Sequence, residues 1–302
     1  MPENFADRLT TAIANKGAAA CVGIDPRVDL LPDDLHCEPN DLEAAVDAVL
    51  SFGRDVIDLV APHVAAVKLQ IAYFEALHVE GVEAYYSLVE QAHHLGLVVI
   101  GDVKRNDIGS SAAAYAAAHL DKPIYDAVTE ASIPDAITVN GYFGIDGVSP
   151  FIKSAAAADR GVFILARTSN PSAATTQDVL LQDGRPYFQY LAEQIGNWAA
   201  DPQLRGSCGY SSVGAVVGGT APQQASALRE KLPHLIFLVP GYGAQGASAE
   251  QVRACFKDDG SGAIVNASRS VIYAFRDHPG QDWKKSVEQA ARDFHDQISG
   301  IH

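Results

Sequence analysis

Eight short apolar, β-branched runs recur along the chain, at 19–24, 65–69, 97–102, 136–139, 162–166, 214–217, 235–239 and 263–265. Most carry hydrophobic residues on successive rather than alternate positions, which is the pattern of strands covered on both faces. Between them the hydrophobic period lengthens to that of a helix. Segment 41–60 sets Val46, Val49, Leu50, Val56 and Leu59 at helical spacing, and 81–94, 111–119, 187–198, 222–232 and 248–256 follow the same habit. Segment 283–298 reads as a last amphipathic helix. Alanine-rich helices and valine- and isoleucine-rich strands agree with intrinsic propensity.

Strands alternating with helices imply parallel βαβ units. Eight such units in 302 residues predict an α/β fold, a (β/α)8 TIM barrel, as one domain over 1–302. A doubly wound open sheet is the alternative, but it would usually carry a glycine-rich turn after its first strand. Here that strand runs into Gly23-Ile24-Asp25-Pro26. The longest interruption, an extended loop at 169–184 rich in Ser, Asn, Thr and Asp, follows the fifth strand. In a barrel that is the functional face, so this loop is a candidate lid or substrate loop.

The residues at the strand ends carry the chemistry. The third run ends in Asp102-Val103-Lys104-Arg105-Asn106-Asp107, two carboxylates and an ammonium beside a buried strand. Alternation turns Asp102 and Lys104 the same way, and buried charge is costly unless paired or used. Strand one ends at Asp25 and strand two at Lys68. Asn140 follows strand four and Arg167-Thr168-Ser169-Asn170 strand five. In a barrel all these ends converge on one mouth. Each has a plainer alternative: a surface lysine at Lys68, a turn residue at Asp25 or Asn140, a structural ion pair between Asp102 and Lys104.

Charge narrows the partners. There are 22 basic and 37 acidic residues, a net charge of −15. Nucleic-acid binding relies on basic surface and is not expected, while an anionic substrate would need a locally basic pocket. The seventh and eighth loops offer one. Pro240-Gly241-Tyr242-Gly243-Ala244-Gln245-Gly246 allows close backbone approach to an anion, and Arg269 follows strand eight, where barrels often hold phosphate. The four cysteines, widely spaced without a Cys-x-x-Cys, read as reduced thiols of a cytoplasmic protein. No apolar run is long enough for a membrane span, the acidic amino terminus is unlike a signal peptide, and no metal site is expected.

At these residues the chain resembles the orotidine 5′-phosphate decarboxylase family, and most of all its longer, bacterial-type (type 2) subfamily. The Asp-x-Lys-x-x-Asp-Ile signature stands as Asp102-Val-Lys104-Arg-Asn-Asp107-Ile108. Cys21-Val-Gly-Ile-Asp25-Pro, Val67-Lys68-Leu-Gln-Ile-Ala-Tyr-Phe-Glu75, Thr168-Ser169-Asn170-Pro171 and Pro240-Gly-Tyr-Gly-Ala-Gln245-Gly246 follow in the family's order. The resemblance implies cofactor-free decarboxylation of orotidine 5′-monophosphate (OMP) to UMP and CO2 in pyrimidine biosynthesis. It implies that Lys104 protonates C6, Asp102 sits beside the substrate carboxylate, and Lys68 bridges the charge network and the ribose. Asp25 would meet the ribose hydroxyls, Ser169 the pyrimidine, and Gln245 and Arg269 the phosphate. It further implies a homodimer, with Asp107 reaching into the neighbouring site and Ser111 near it. Leu69 and Gly141 depart from the pattern, which expects proline at both places. The rival readings are a Mg2+-dependent hexulose-phosphate synthase-like aldolase, a Schiff-base aldolase, and a barrel that binds a nucleotide phosphate without turnover.

Overall fold

The computed structural model describes residues 3–38, 40–126, 128–243 and 246–301. A helix, α1 (Phe5–Lys16), comes first. β1 (Ala20–Ile24) is followed by α2 (Leu42–Val60), and β2 (Ala66–Gln70) by α3 (Ile71–Glu75) and α4 (His78–His94). Next come β3 (Val98–Arg105) with α5 (Gly109–Leu120), and β4 (Ala136–Val139) with α6 (Ile145–Ala157). β5 (Gly161–Arg167) leads to α7 (Ala173–Gln177) and α8 (Tyr187–Trp198), and β6 (Val213–Val217) to α9 (Pro222–Lys231). β7 (Phe237–Val239) precedes α10 (Ala249–Arg253), and β8 (Ala263–Ala267) precedes α11 (Arg269–Ile272) and α12 (Trp283–Ser299). The eight strands are parallel and form a closed barrel in chain order, with β1 pairing β8. The (β/α)8 expectation is therefore met.

Strand alternation divides the apolar side chains into two cores. Outward residues such as Val22, Val67, Val99, Ile137 and Ile164 pack beneath the helices. Inward residues such as Ala66, Ile100, Ala136, Phe163 and Ile264 fill the barrel. The lower end of that inner core is completed by α1, which the sequence reading left unassigned. Its Phe5 meets Phe163 edge to face at 5.9 Å between centroids. A Cβ on Gly161 would lie 2.2 Å from the Phe5 ring, so only glycine admits the plug there. Asn4 caps the helix by accepting the Ala6 N–H, and Gly17 ends it at φ +75°, a left-handed cap that favours glycine.

Helix α6 was also not foreseen. It holds Gly147 and Pro150, residue types that disfavour a helix interior, yet Val148, Phe151 and Ala155 bury one face of it. The 169–184 loop is not wholly irregular, because it holds α7 and an isolated antiparallel bridge between Leu180 and Pro186. Among the described residues no helix is long and apolar enough to cross a membrane.

Candidate active site

The carboxyl ends of the strands enclose a cavity of about 580 Å³. Its wall includes Asp25, Lys68, Asp102, Lys104, Ser169 and Arg269, so six residues singled out in the sequence meet in one place. Gln245 lies outside the described residues. Asp107 and Ser111 do not line the cavity; Ser111 is exposed in the first turn of α5, and Asp107 folds back to accept the Ile108 N–H at 2.8 Å.

Asp102 is the hub. Its Oδ2 accepts from Lys68 Nζ at 2.7 Å and from Gln70 Nε2 at 3.0 Å. Its Oδ1 accepts from Lys104 Nζ at 2.5 Å and from Thr138 Oγ1 at 2.8 Å. Lys68 Nζ also stands 3.9 Å from Asp25 Oδ1. Lys68 and Asp102 are both almost fully buried, and burial alone would discharge each of them. The opposite charges overcome it. Lys68 and Lys104 hold the Asp102 carboxyl well below the usual carboxylate range. Asp102 and Asp25 hold the Lys68 ammonium above the usual lysine range. Both groups are therefore charged at neutral pH.

The end of β3 is shaped to present this pair. Gly101 pairs with Ile137 but Arg105 with Val139, so four residues of β3 span two of β4. Two extra residues keep the alternation in phase, and Asp102 and Lys104 both reach the cavity. Lys104 sits at φ +44°, a left-handed conformation that an L side chain enters only at a cost. Its N–H donates to Thr138 Oγ1 at 3.0 Å, which helps hold the distortion. The same hydroxyl thus touches the backbone of Lys104 and the carboxylate of Asp102.

Thr138 and Gln70 carry no charge and so do not stand out in the sequence. Period two could have found both: Thr138 follows inward Ala136, and Gln70 follows Lys68. Asn140 instead closes a turn by accepting the Tyr142 N–H. Gly141, where proline was expected, fits because a Cβ there would already stand 3.2 Å from Ile164. Leu69 points away from the cavity and is fully buried under the helices.

Lys68, Lys104 and Arg269 share the cavity wall with two carboxylates, Asp25 and Asp102, and Arg27 lines it with its guanidinium paired to Asp29 at 2.6 Å. A chain with a net charge of −15 thus keeps a local excess of positive charge where an anionic ligand would enter. Arg27 had not been singled out; its backbone N–H donates to Tyr273 Oη at 2.7 Å, and that hydroxyl donates to the Asp25 carbonyl at 3.0 Å.

Residues 21–285 match the sequence profile of the Orotidine 5′-phosphate decarboxylase / HUMPS family. This chain belongs to that family. Curated relatives named orotidine 5′-phosphate decarboxylase include one from Caldicellulosiruptor bescii, 37% identical over 302 residues and covering 98% of each chain. Another, from Rhodopirellula baltica, is 38% identical over 304 residues, 98% of this chain and 99% of the relative. A solved structure of Leishmania donovani OMP decarboxylase superposes with a TM-score of 0.77 at 27% identity, covering 99% of this chain and 98% of that one.

Proposed function

We propose that this chain decarboxylates OMP to UMP without a cofactor, and that Lys104 supplies the proton to C6. The observation that carries the reading is one buried carboxylate, Asp102, held between two lysine ammoniums at the mouth of a cationic cavity. Full-length identity to relatives that bear the decarboxylase name supports it. When the C6–carboxylate bond breaks, its electron pair stays on C6. The Lys104 ammonium faces that charge in a site already organised by Asp102, Lys68 and Thr138, so little reorganisation accompanies the reaction. The pair then takes a proton from Nζ, and solvent restores the ammonium.

The remaining residues fit the substrate's other groups. Asp25 and Lys68 would meet the ribose, Ser169 the pyrimidine, and Arg269 and Gln245 the phosphate. Phosphate binding is remote from C6, so its energy is available to close loops and assemble the charged network. The site of action would be the cytosol, in keeping with four free thiols.

Loss of OMP absorbance, followed with EDTA present, tests the reaction. Full turnover is expected. No loss of OMP absorbance, with or without Mg2+, would sink the decarboxylase reading and leave the aldolase-like branch of the family.

The active unit would be a homodimer in which Asp107 and Ser111 serve the neighbouring site. An exposed apolar strip beside Asp107, including Ile108, Tyr142 and Phe143, supports this. Mixing inactive Lys104→Ala and Asp107→Ala chains is expected to restore activity, approaching about a quarter of native per site, because some hybrid sites carry neither lesion. Absence of recovery after demonstrated subunit exchange would sink the shared site.

A further inference from the structure

We propose that Arg167 is a positioning residue that sets Ser169 against the substrate, an inference that rests on the decarboxylase reading above. Alternation along β5 would turn Arg167 inward, after Phe163 and Leu165. The ladder prevents it. Leu165 pairs with Val216 and Arg167 with the next residue, Val217, so β5 carries one extra residue there. A bulge of this kind re-aims the side chain that follows. Arg167 is thus absent from the cavity wall and is buried among the outer helices instead.

There its guanidinium ties three elements to the strand end. It donates to Gln224 Oε1 of α9 at 2.9 Å and to Gln177 Oε1 of α7 at 3.0 Å. It also donates to the Thr168 carbonyl at 3.1 Å and to Asp178 Oδ2 at 3.3 Å, and lies over the Phe188 ring of α8. Gln177 completes the tie: its Oε1 also accepts the Thr168 N–H at 3.0 Å, and its Nε2 donates to Thr168 Oγ1 at 2.7 Å. Ser169 follows directly. From the other side Gly218 approaches so closely that a Cβ there would stand 2.9 Å from Ser169 N and Cα. Ser169 is therefore held between this fork and the end of β6. A planar guanidinium can bond several acceptors in different directions at once, which a lysine ammonium on a flexible stem does not reproduce.

The test is a double-mutant cycle. Arg167→Gln is expected to lower kcat/KM for OMP about 100-fold in the native background, the scale of a misplaced substrate contact. In a Ser169→Ala background the same change is expected to cost no more than about threefold, because the group it positions is already gone. Arg167→Lys should resemble Arg167→Gln. Equal losses in both backgrounds, or full activity in Arg167→Lys, would overturn the proposal. Should Arg167→Gln fail to fold, Gln177→Ala, which removes the bonds to Thr168 from a less buried position, is expected to show the same coupling to Ser169. UMP affinity by calorimetry gives a second readout. A native chain that bound UMP but never turned over would defeat the decarboxylase reading while leaving the cycle measurable; one that did neither would remove both.

Discussion

Lys104→Ala is expected to abolish decarboxylation, with kcat falling by about four orders of magnitude or more, while the chain still folds and binds UMP. The change removes both the cation facing the developing charge and the proton that quenches it. The folded state should tolerate the loss, because the Lys104 side chain is 45% exposed and Asp102 keeps its bonds to Lys68, Gln70 and Thr138. A companion variant separates chemistry from backbone. At φ +44° glycine is more comfortable than alanine. Lys104→Gly should therefore melt no lower than Lys104→Ala and be equally inactive. Calorimetric UMP binding, thermal melts and turnover decide the matter; near-native turnover by either variant would remove Lys104 from its assigned role.

Asp102→Ala should damage both folding and catalysis. It leaves Lys68 buried with only Asp25, 3.9 Å away, for a counter-charge. Removing one partner of a buried ion pair typically costs about 3–5 kcal/mol, and the lower end is expected here because Asp25 remains. Turnover should fall about a thousandfold, since Lys104 loses the carboxylate that fixes it. The pH dependence gives a signature. Asp102 titrates lower folded than unfolded, so its contribution is fully present above the unfolded value, about 4, and fades as pH falls toward the folded one. The stability gap between native and Asp102→Ala chains should accordingly be widest near neutrality and narrow on acidification. A gap that stayed constant in denaturant melts from neutral to strongly acid pH would contradict the charged network.

The barrel was legible because its strands are buried on both faces and announce themselves as apolar runs. β4, at Ala136–Val139, falls at the expected residues. What escaped was structure whose evidence lies in tertiary contact. α1 buries only Phe5, Ala6 and Leu9, too few to stand out from its polar surroundings. In α6, burial of Val148 and Phe151 overrides local signals that would otherwise end a helix. The site followed the same rule. Asp25, Lys68, Asp102 and Lys104 were found because charge is conspicuous at the end of an apolar strand. Thr138 and Gln70 are uncharged, and their importance depends on which carboxylate they reach. The two irregularities, at β3 and β5, have no local sequence mark; the first leaves Lys104 on the face that alternation gives it, and the second turns Arg167 away from the cavity.

The closed floor of the barrel also gives the molecule a usable polarity. Phe5 occupies the end opposite the mouth, and exposed Glu3 lies two residues before it. A tether attached at Glu3 would therefore anchor the protein by its blind end. On a resin or an electrode, the catalytic opening would face the flowing solution rather than the support.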